Sequence, residues 1–401
     1  MSFEPTREAG LRRLRAFLPK AGAYARARNY DRPPHDDVSR LSPYLRHRLI
    51  TEDEVLSPVL QRHGPRAEKF VQEIFWRTYW KGWLEMRPAV WQNYQQSLRR
   101  DLDRIERFRD LRSRYEAAVT ATTGIACFDA WSRELVDTGY VHNHARMWFA
   151  SIWIYTLELP WSLGADFFYR HLLDGDPASN TLSWRWVCGQ QTLGKTYLAR
   201  RDNIRKYTEG RFDPDGLATV APALDDSLPP AAKPDNIPTA ALVDAAGHGA
   251  PLPECFATLR TAEDLDAGHL PRGESARFSL VGEPARSVLE TSEPVRRFVT
   301  AATEARQDEV GLAVDGDLSE LVEQLAAHGA VVTPYACTGP TEAWLARLGN
   351  ALDARGVPLL RAVRGYDRVA WPHARRGFFA LKKKIPRVLE HLGHQRRAVH
   401  P

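Results

Sequence analysis

The feature that most constrains this chain is a change of apolar period part-way along it. From about Pro43 to Lys206 apolar residues recur at helical spacing, as in PRAEKFVQEIFWRTYWKGWLEM, where Phe70, Ile74, Tyr79 and Trp83 fall near one face. The segments FDAWSRELVDTG, NHARMWFASIWIYTLEL and GADFFYRHLLDG keep that period, with Gly139, Pro160, Gly164 and Gly175 as stops. Strand-like alternation is scarce there, so this half must bury its stripes helix against helix. Further on, VGLAV near residue 310, AVVTPY near 330 and VPLLRAV near 357 read as short buried strands. They alternate with the helical runs DLSELVEQLAAH, TEAWLARLGNALDA and GFFALKKKIPRVLEHL, an order that implies a parallel sheet with helices on its faces. Between the two lies RFDPDGLATVAPALDDSLPPAAKPDNIP, too rich in Pro, Ala and Asp to supply a core. The expected organisation is a mainly α-helical domain over residues 1–211, a linker over 212–238 and a smaller α/β domain over 239–401. No GxGxxG or P-loop string follows any of the strands, so nothing assigns a nucleotide to the sheet.

Composition excludes some classes and leaves others open. At 401 residues, 43% hydrophobic and 26% charged, the chain is neither a disordered tail nor a stapled miniprotein, and it is long enough for two packed domains. Residues 1–211 hold 34 Lys and Arg against 25 Asp and Glu, and residues 212–401 hold 21 against 25. A basic half that also carries ten of the twelve tryptophans suits neutralising phosphates and stacking on bases. An arginine-rich surface over an aromatic core explains the same composition. Cys127, Cys188, Cys255 and Cys337 form no CxxC pair, which fits a reducing, cytoplasmic setting. The first twenty residues contain no apolar leader core, and no stretch reaches membrane-spanning length without a charge, so no membrane association is expected.

Four fragments carry candidate chemistry: SRLSPYL from Ser39 to Leu45, EIFWRTYWKGW, TGYVHNHARMWFAS and LLDGDPASNTLSWRW. Each alone has a plain explanation. SRLSPYL reads as a helix cap with Pro43 in the first turn, Glu73 and Arg77 as an i,i+4 ion pair beside a core tryptophan, and DGDP as an acidic turn. His142, Asn143 and Arg146 suggest a metal or acid–base cluster, but HExxH is missing, and DGDP lacks the remaining EF-hand positions. In this order, and ending in DGDxxxN…WxW, the fragments resemble the FAD-binding helical domain of the photolyase/cryptochrome family, of the type that repairs cyclobutane pyrimidine dimers. The resemblance runs from about Tyr30 to Phe212. The family's usual N-terminal α/β antenna domain has no counterpart before Ser39, and an α/β domain follows instead.

The resemblance implies a set of roles. Ser39, Arg40, Leu41 and Ser42 hold the FAD phosphates, with Val38 where many relatives have Thr, and either Tyr24 or Tyr30 as the tyrosine found upstream. Arg77 lies near the flavin, Arg146 pairs with Asp174 beside the isoalloxazine, Asp176 accepts from the flavin N3 and ribityl region, and Asn180 faces N5. Glu73 hydrogen-bonds the dimer, Trp76 and Trp186 clamp it, Asn143 touches flavin and substrate, and Met147 packs on the lesion. Enzymes for (6-4) photoproducts carry histidines where this chain has Asn143 and Met147. Thr181 and Leu182 replace residues that are often polar or Gly in relatives. For electron transfer the proximal and middle tryptophans match Trp184 and Trp161, while the distal position falls at Ala118, so that photoreduction ends at Tyr115, Trp153 or Trp131 or runs poorly. The implied function is blue-light-driven repair of pyrimidine dimers in DNA by a FAD-dependent, deoxyribodipyrimidine photolyase-like lyase. The alternative is a cryptochrome-like photoreceptor without repair activity, with a protein partner on the C-terminal domain. A purely architectural DNA-binding protein leaves Glu73, Asn143 and Asn180 unexplained. Arg375, Arg376 and Lys382 to Lys384 around Phe378 and Phe379 read as a solvated helix face with two aromatic anchors.

Overall fold

The helical period of the first half becomes helices with identifiable starts and stops. Thr51 and Glu54 form a reciprocal capping box at the head of Glu52–His63. Gly139 closes Ala126–Thr138 in the left-handed conformation at φ 67°. Asp176 caps Pro177–Val187 by accepting from the Ser179 N–H, with Pro177 in the first turn, where its missing donor is harmless. The long helices Glu68–Glu85 and Pro88–Arg107 and the shorter Asn143–Ser151 and Trp161–His171 surround a core in which Phe75, Phe128, Trp148 and Trp153 are fully buried. The computed structural model describes residues 3–224, 242–243, 252–266 and 268–393.

The second half supplies a parallel sheet of six strands: β1 (Leu242–Val243), β2 (Ala257–Arg260), β3 (Ala276–Val281), β4 (Val310–Ala313), β5 (Val331–Pro334) and β6 (Leu359–Ala362). Their spatial order is β1-β6-β5-β2-β3-β4, so the chain moves outward from β2 on one side and from β5 on the other. The mainly helical domain followed by a smaller α/β unit is therefore the observed architecture, and β4, β5 and β6 lie where their apolar runs place them. β2 and β3 escaped the sequence reading because ATLR and ARFSLV are short and interrupted by arginine. Arg260 is nevertheless buried, held by Glu309 at 3.0 Å.

Two features differ from a simple two-body layout. The run GFFALKKKIPRVLEHL divides into Phe378–Lys382 and Ile385–His391, with Pro386 starting the second helix rather than continuing the first. These helices, with Val295, Phe298 and Tyr366, share one apolar cluster with the helical half, so the end of the chain folds back and completes that core. Phe378 is buried as expected of an anchor, whereas Phe379 is exposed. Residues 212–224, the start of the Pro- and Ala-rich stretch, lie against the helical half: Leu224 N–H donates to Cys188 O at 3.1 Å and Thr196 Oγ1 to Ala221 O at 2.8 Å. The remainder of the assigned linker, 225–238, is outside the described residues.

Candidate functional site

Helical spacing places Asn143, Arg146 and Met147 on neighbouring faces of Asn143–Ser151, so one short helix serves two purposes. Asn143 and Met147 line a cavity of about 1010 Å³ with Tyr24, Arg28, Tyr197 and Tyr207. Arg146 turns the other way and clasps Asp174 with two parallel hydrogen bonds of 3.0 and 2.9 Å. Burial pushes the Asp174 carboxyl up, but Arg146 and a hydrogen bond from Ser42 outweigh it and hold the group below the usual carboxylate range. Ser42 thereby ties the SRLSPYL loop to the DGDP turn. Within that loop Arg40 adopts φ 51° and its guanidinium meets Asp36 at 3.2 Å, Leu41 is buried, and the Leu41 N–H donates to Ser39 Oγ.

Asp176 sits deeper. Its Oδ1 caps the following helix, while Oδ2 faces Lys81 Nζ at 3.0 Å and Arg77 at 3.6 Å. Burial alone would raise this carboxyl; the charges of Lys81, Arg77 and Arg46 reverse that and keep it strongly ionised. Asn180 donates its amide to Ala165 O at 2.7 Å. Three buried polar atoms around this turn, Arg77 Nε, Ser179 Oγ and Thr181 Oγ1, have no hydrogen-bond partner, which marks a cradle built to meet a polar ligand.

The expected lesion contacts are only partly brought together. Asn143 and Met147 share the cavity wall, and Trp186 stands behind it with its ring 5.6 Å from that of Tyr197. Glu73 is joined to the wall through an ion pair with Arg28. Trp76 is not on that wall: it stacks face to face on Phe378, centroids 3.7 Å apart and planes 10° from parallel. Of the two candidate tyrosines, Tyr24 lines the cavity, while Tyr30 packs edge-on against Tyr207. Among the tryptophans, Trp161 meets Tyr94 at 5.7 Å, whereas Trp184 meets Trp153 at 6.2 Å and Trp153 meets Tyr115 at 6.1 Å. Trp131 belongs to a separate stack with Trp148 and donates its indole N–H to the buried Asp31.

Sequence reasoning missed Arg28 and Lys81, and read Gly175 only as a stop. Lys81 was findable, since it lies one turn beyond Arg77 on the same helix. Gly175 is required by close approach: a Cβ there would meet Tyr169 O at 2.8 Å, Leu172 O at 3.0 Å and the guanidinium of Arg286. Gly175→Ala is expected to destabilise by about 1–3 kcal/mol through overpacking, read as a lowered thermal midpoint. An unchanged midpoint would mean that this turn is more open than described.

A larger cleft of about 1410 Å³ opens at the carboxyl ends of β3 to β5, faced by Trp91 and Tyr94, but none of the motif residues line it. Among the described residues no group of three or more His, Cys, Asp or Glu is arranged to hold a metal ion, and no helix is long and apolar enough to cross a membrane.

Residues 70–221 match the family model for the FAD binding domain of DNA photolyase. The chain is 32% identical over 206 residues to a deoxyribodipyrimidine photo-lyase of Streptomyces griseus, covering 47% of this chain and 44% of that protein. It is 36% identical over 223 residues to one from Thermus thermophilus, covering 53% and 49%. A crystal structure of a class III photolyase from Agrobacterium tumefaciens matches 50% of this chain and 42% of its own at 27% identity, with a TM-score of 0.44. The chain spans about half the length of the curated relatives it matches. The family's cofactor is FAD, and the donor set fits it: hydroxyls and a cation in the Ser39–Ser42 loop for phosphates, and unpartnered buried donors beside Asp176 for a polar ring edge. Over its helical half, the chain is similar to the FAD-binding domain of the photolyase/cryptochrome family.

Proposed function

We propose that this protein binds FAD in its helical half and uses blue light to split cyclobutane pyrimidine dimers in DNA. The observation that carries the reading is the placing of Asn143 and Met147 on one cavity wall, while Arg146 of the same helix turns the other way and clasps Asp174. FAD held there would supply the light-driven one-electron chemistry that opening the dimer ring requires. The remaining work belongs to side chains of this chain. Ser39, Arg40 and Ser42 bind phosphate oxygens, Arg77 and Asn180 orient the ring edge, and Arg146, fixed by Asp174, keeps a positive charge beside it. Asn143 and Met147 seat the dimer, Trp186 supports Tyr197 behind it, and Glu73, freed from Arg28, offers a carboxylate to the dimer's N–H edge. A lesion inside a duplex must first swing out of the stack, and damaged pairing makes that step easier. The basic balance of residues 1–211 makes binding to such DNA fall with salt.

One observation favours the photoreceptor reading instead. Trp76, the ring expected to clamp the lesion, is already covered by Phe378 from the C-terminal region. A single assay separates the two readings. Flavin-loaded, reduced protein is irradiated with dimer-containing DNA while the return of thymine absorbance is followed, with Glu73→Ala and Trp76→Ala alongside. Repair predicts full restoration by the native protein and a rate about tenfold or more lower in Glu73→Ala, the loss set by a charge-assisted hydrogen bond. No restoration by fully loaded native protein rejects repair and leaves light sensing.

A further inference from the structure

The helical half does not contain all the charge that its own cofactor cradle needs. Around Asp176 it brings two buried cations, Arg46 and Lys81, together with the partly exposed Arg77, whose charge also reaches Asp174 and Glu52. Arg46 and Lys81 are 2% and 4% exposed, so water cannot offset their charge. The missing negative charge comes from the other half of the chain. Glu263, 4% exposed and three residues beyond the end of β2, accepts from Arg46 at 2.6 Å and faces Lys81 at 3.7 Å. Its loop is pinned on both sides to a single residue of the helical half: His47 Nδ1 meets Ala262 O at 2.8 Å, and the Leu265 N–H donates to His47 O at 2.9 Å. Arg46 also donates its Nε to Gly175 O at 2.7 Å, inside the DGDP turn, so Glu263 is one side chain removed from the turn and from the Lys81–Asp176 contact.

We propose that Glu263 is a positioning residue for the flavin site: by neutralising Arg46 and Lys81 it sets the net charge that Asp176 presents to the cofactor, and the α/β half thereby completes the cradle. The inference rests on the FAD reading above. Burial opposes ionisation of Glu263, but Arg46 and Lys81 hold its carboxyl down to about 2, so it remains charged across the working pH range.

The test uses the full chain and reads the reduction potential and affinity of bound FAD. In Glu263→Gln a negative charge beside Arg46 and Lys81 is lost, so the potential moves positive and FAD binds about tenfold more weakly as Lys81 and Arg46 reorganise. In Arg46→Gln a positive charge beside Glu263 and Asp176 is lost, and the potential moves negative. The double variant R46Q/E263Q restores the native net charge and returns the potential toward the native value. Asp264→Asn is the control: it removes an equally buried carboxylate that pairs with Arg48 at 2.7 Å, away from Asp176, and lowers stability without moving the potential. If one single variant fails to fold, the other still gives a signed shift. Native protein that loads FAD while both single variants keep its potential, or while D264N shifts it as much as E263Q, overturns this role alone. Native protein that takes up no FAD overturns the cofactor reading and this role together.

Discussion

Arg146→Met is expected to lower the stability of the helical half by about 3–5 kcal/mol, because it leaves Asp174 buried and charged without its partner. The side chains are 22% and 5% exposed, the two hydrogen bonds run in parallel at 3.0 and 2.9 Å, and Arg146 Nε also holds Val141 O at 2.8 Å. Urea unfolding followed by tryptophan fluorescence reports on this half, which contains ten of the twelve indoles. The double variant R146M/D174N should recover much of the loss, since a neutral amide tolerates the site better than an unpaired carboxylate. A loss below about 1 kcal/mol in the single variant would contradict the buried clasp, because that is the range of an exposed ion pair.

The second large effect is acid sensitivity from His142. Burial, and then the nearby His35, His144, Arg146 and Arg211, push its imidazole from the ordinary 6.5 down to about 3. Its Nδ1 accepts the His144 N–H at the head of the helix carrying Asn143, Arg146 and Met147. Protonation would place a cation and lose an acceptor where the helix needs the reverse. A depressed histidine contributes stability that is complete above pH 6.5 and lost as pH falls toward 3, at about 1.4 kcal/mol per pH unit. His142→Asn keeps an acceptor at the cap and removes the titration, so the gap in unfolding free energy between native protein and variant should close as pH falls from 6.5 to 5. Comparing the two proteins separates His142 from Asp31 and Glu85, whose carboxyls burial raises and which act in the opposite sense. A gap independent of pH over that range would reject the assignment.

The candidate site was legible where its residues lie within one or two helical turns of each other. Glu73, Arg77 and Lys81 share a helix face, Asn143 to Met147 span one turn, and Asp174 to Asn180 form a turn and its cap, so spacing alone brings these groups close. Trp76 shows the limit of such reasoning. Its place on the helix permits contact with the cavity, yet Phe378, 302 positions later, occupies its face. Trp184 shows it again. The resemblance pairs it with Trp161, while packing brings Trp153 to it, and Gly164 leaves room for that meeting because a Cβ there would collide with both indoles.

Read as a string, the chain determined its helical first half, its parallel sheet and the order of its motif segments, because apolar period and motif spacing act over a few residues. The tertiary structure alone decided that Glu263 neutralises Arg46 across a separation of 217 positions, and that the last helices close the core of the first half. Buried charges are matched by whatever the closed chain brings within a few ångströms, and no local pattern records that partner.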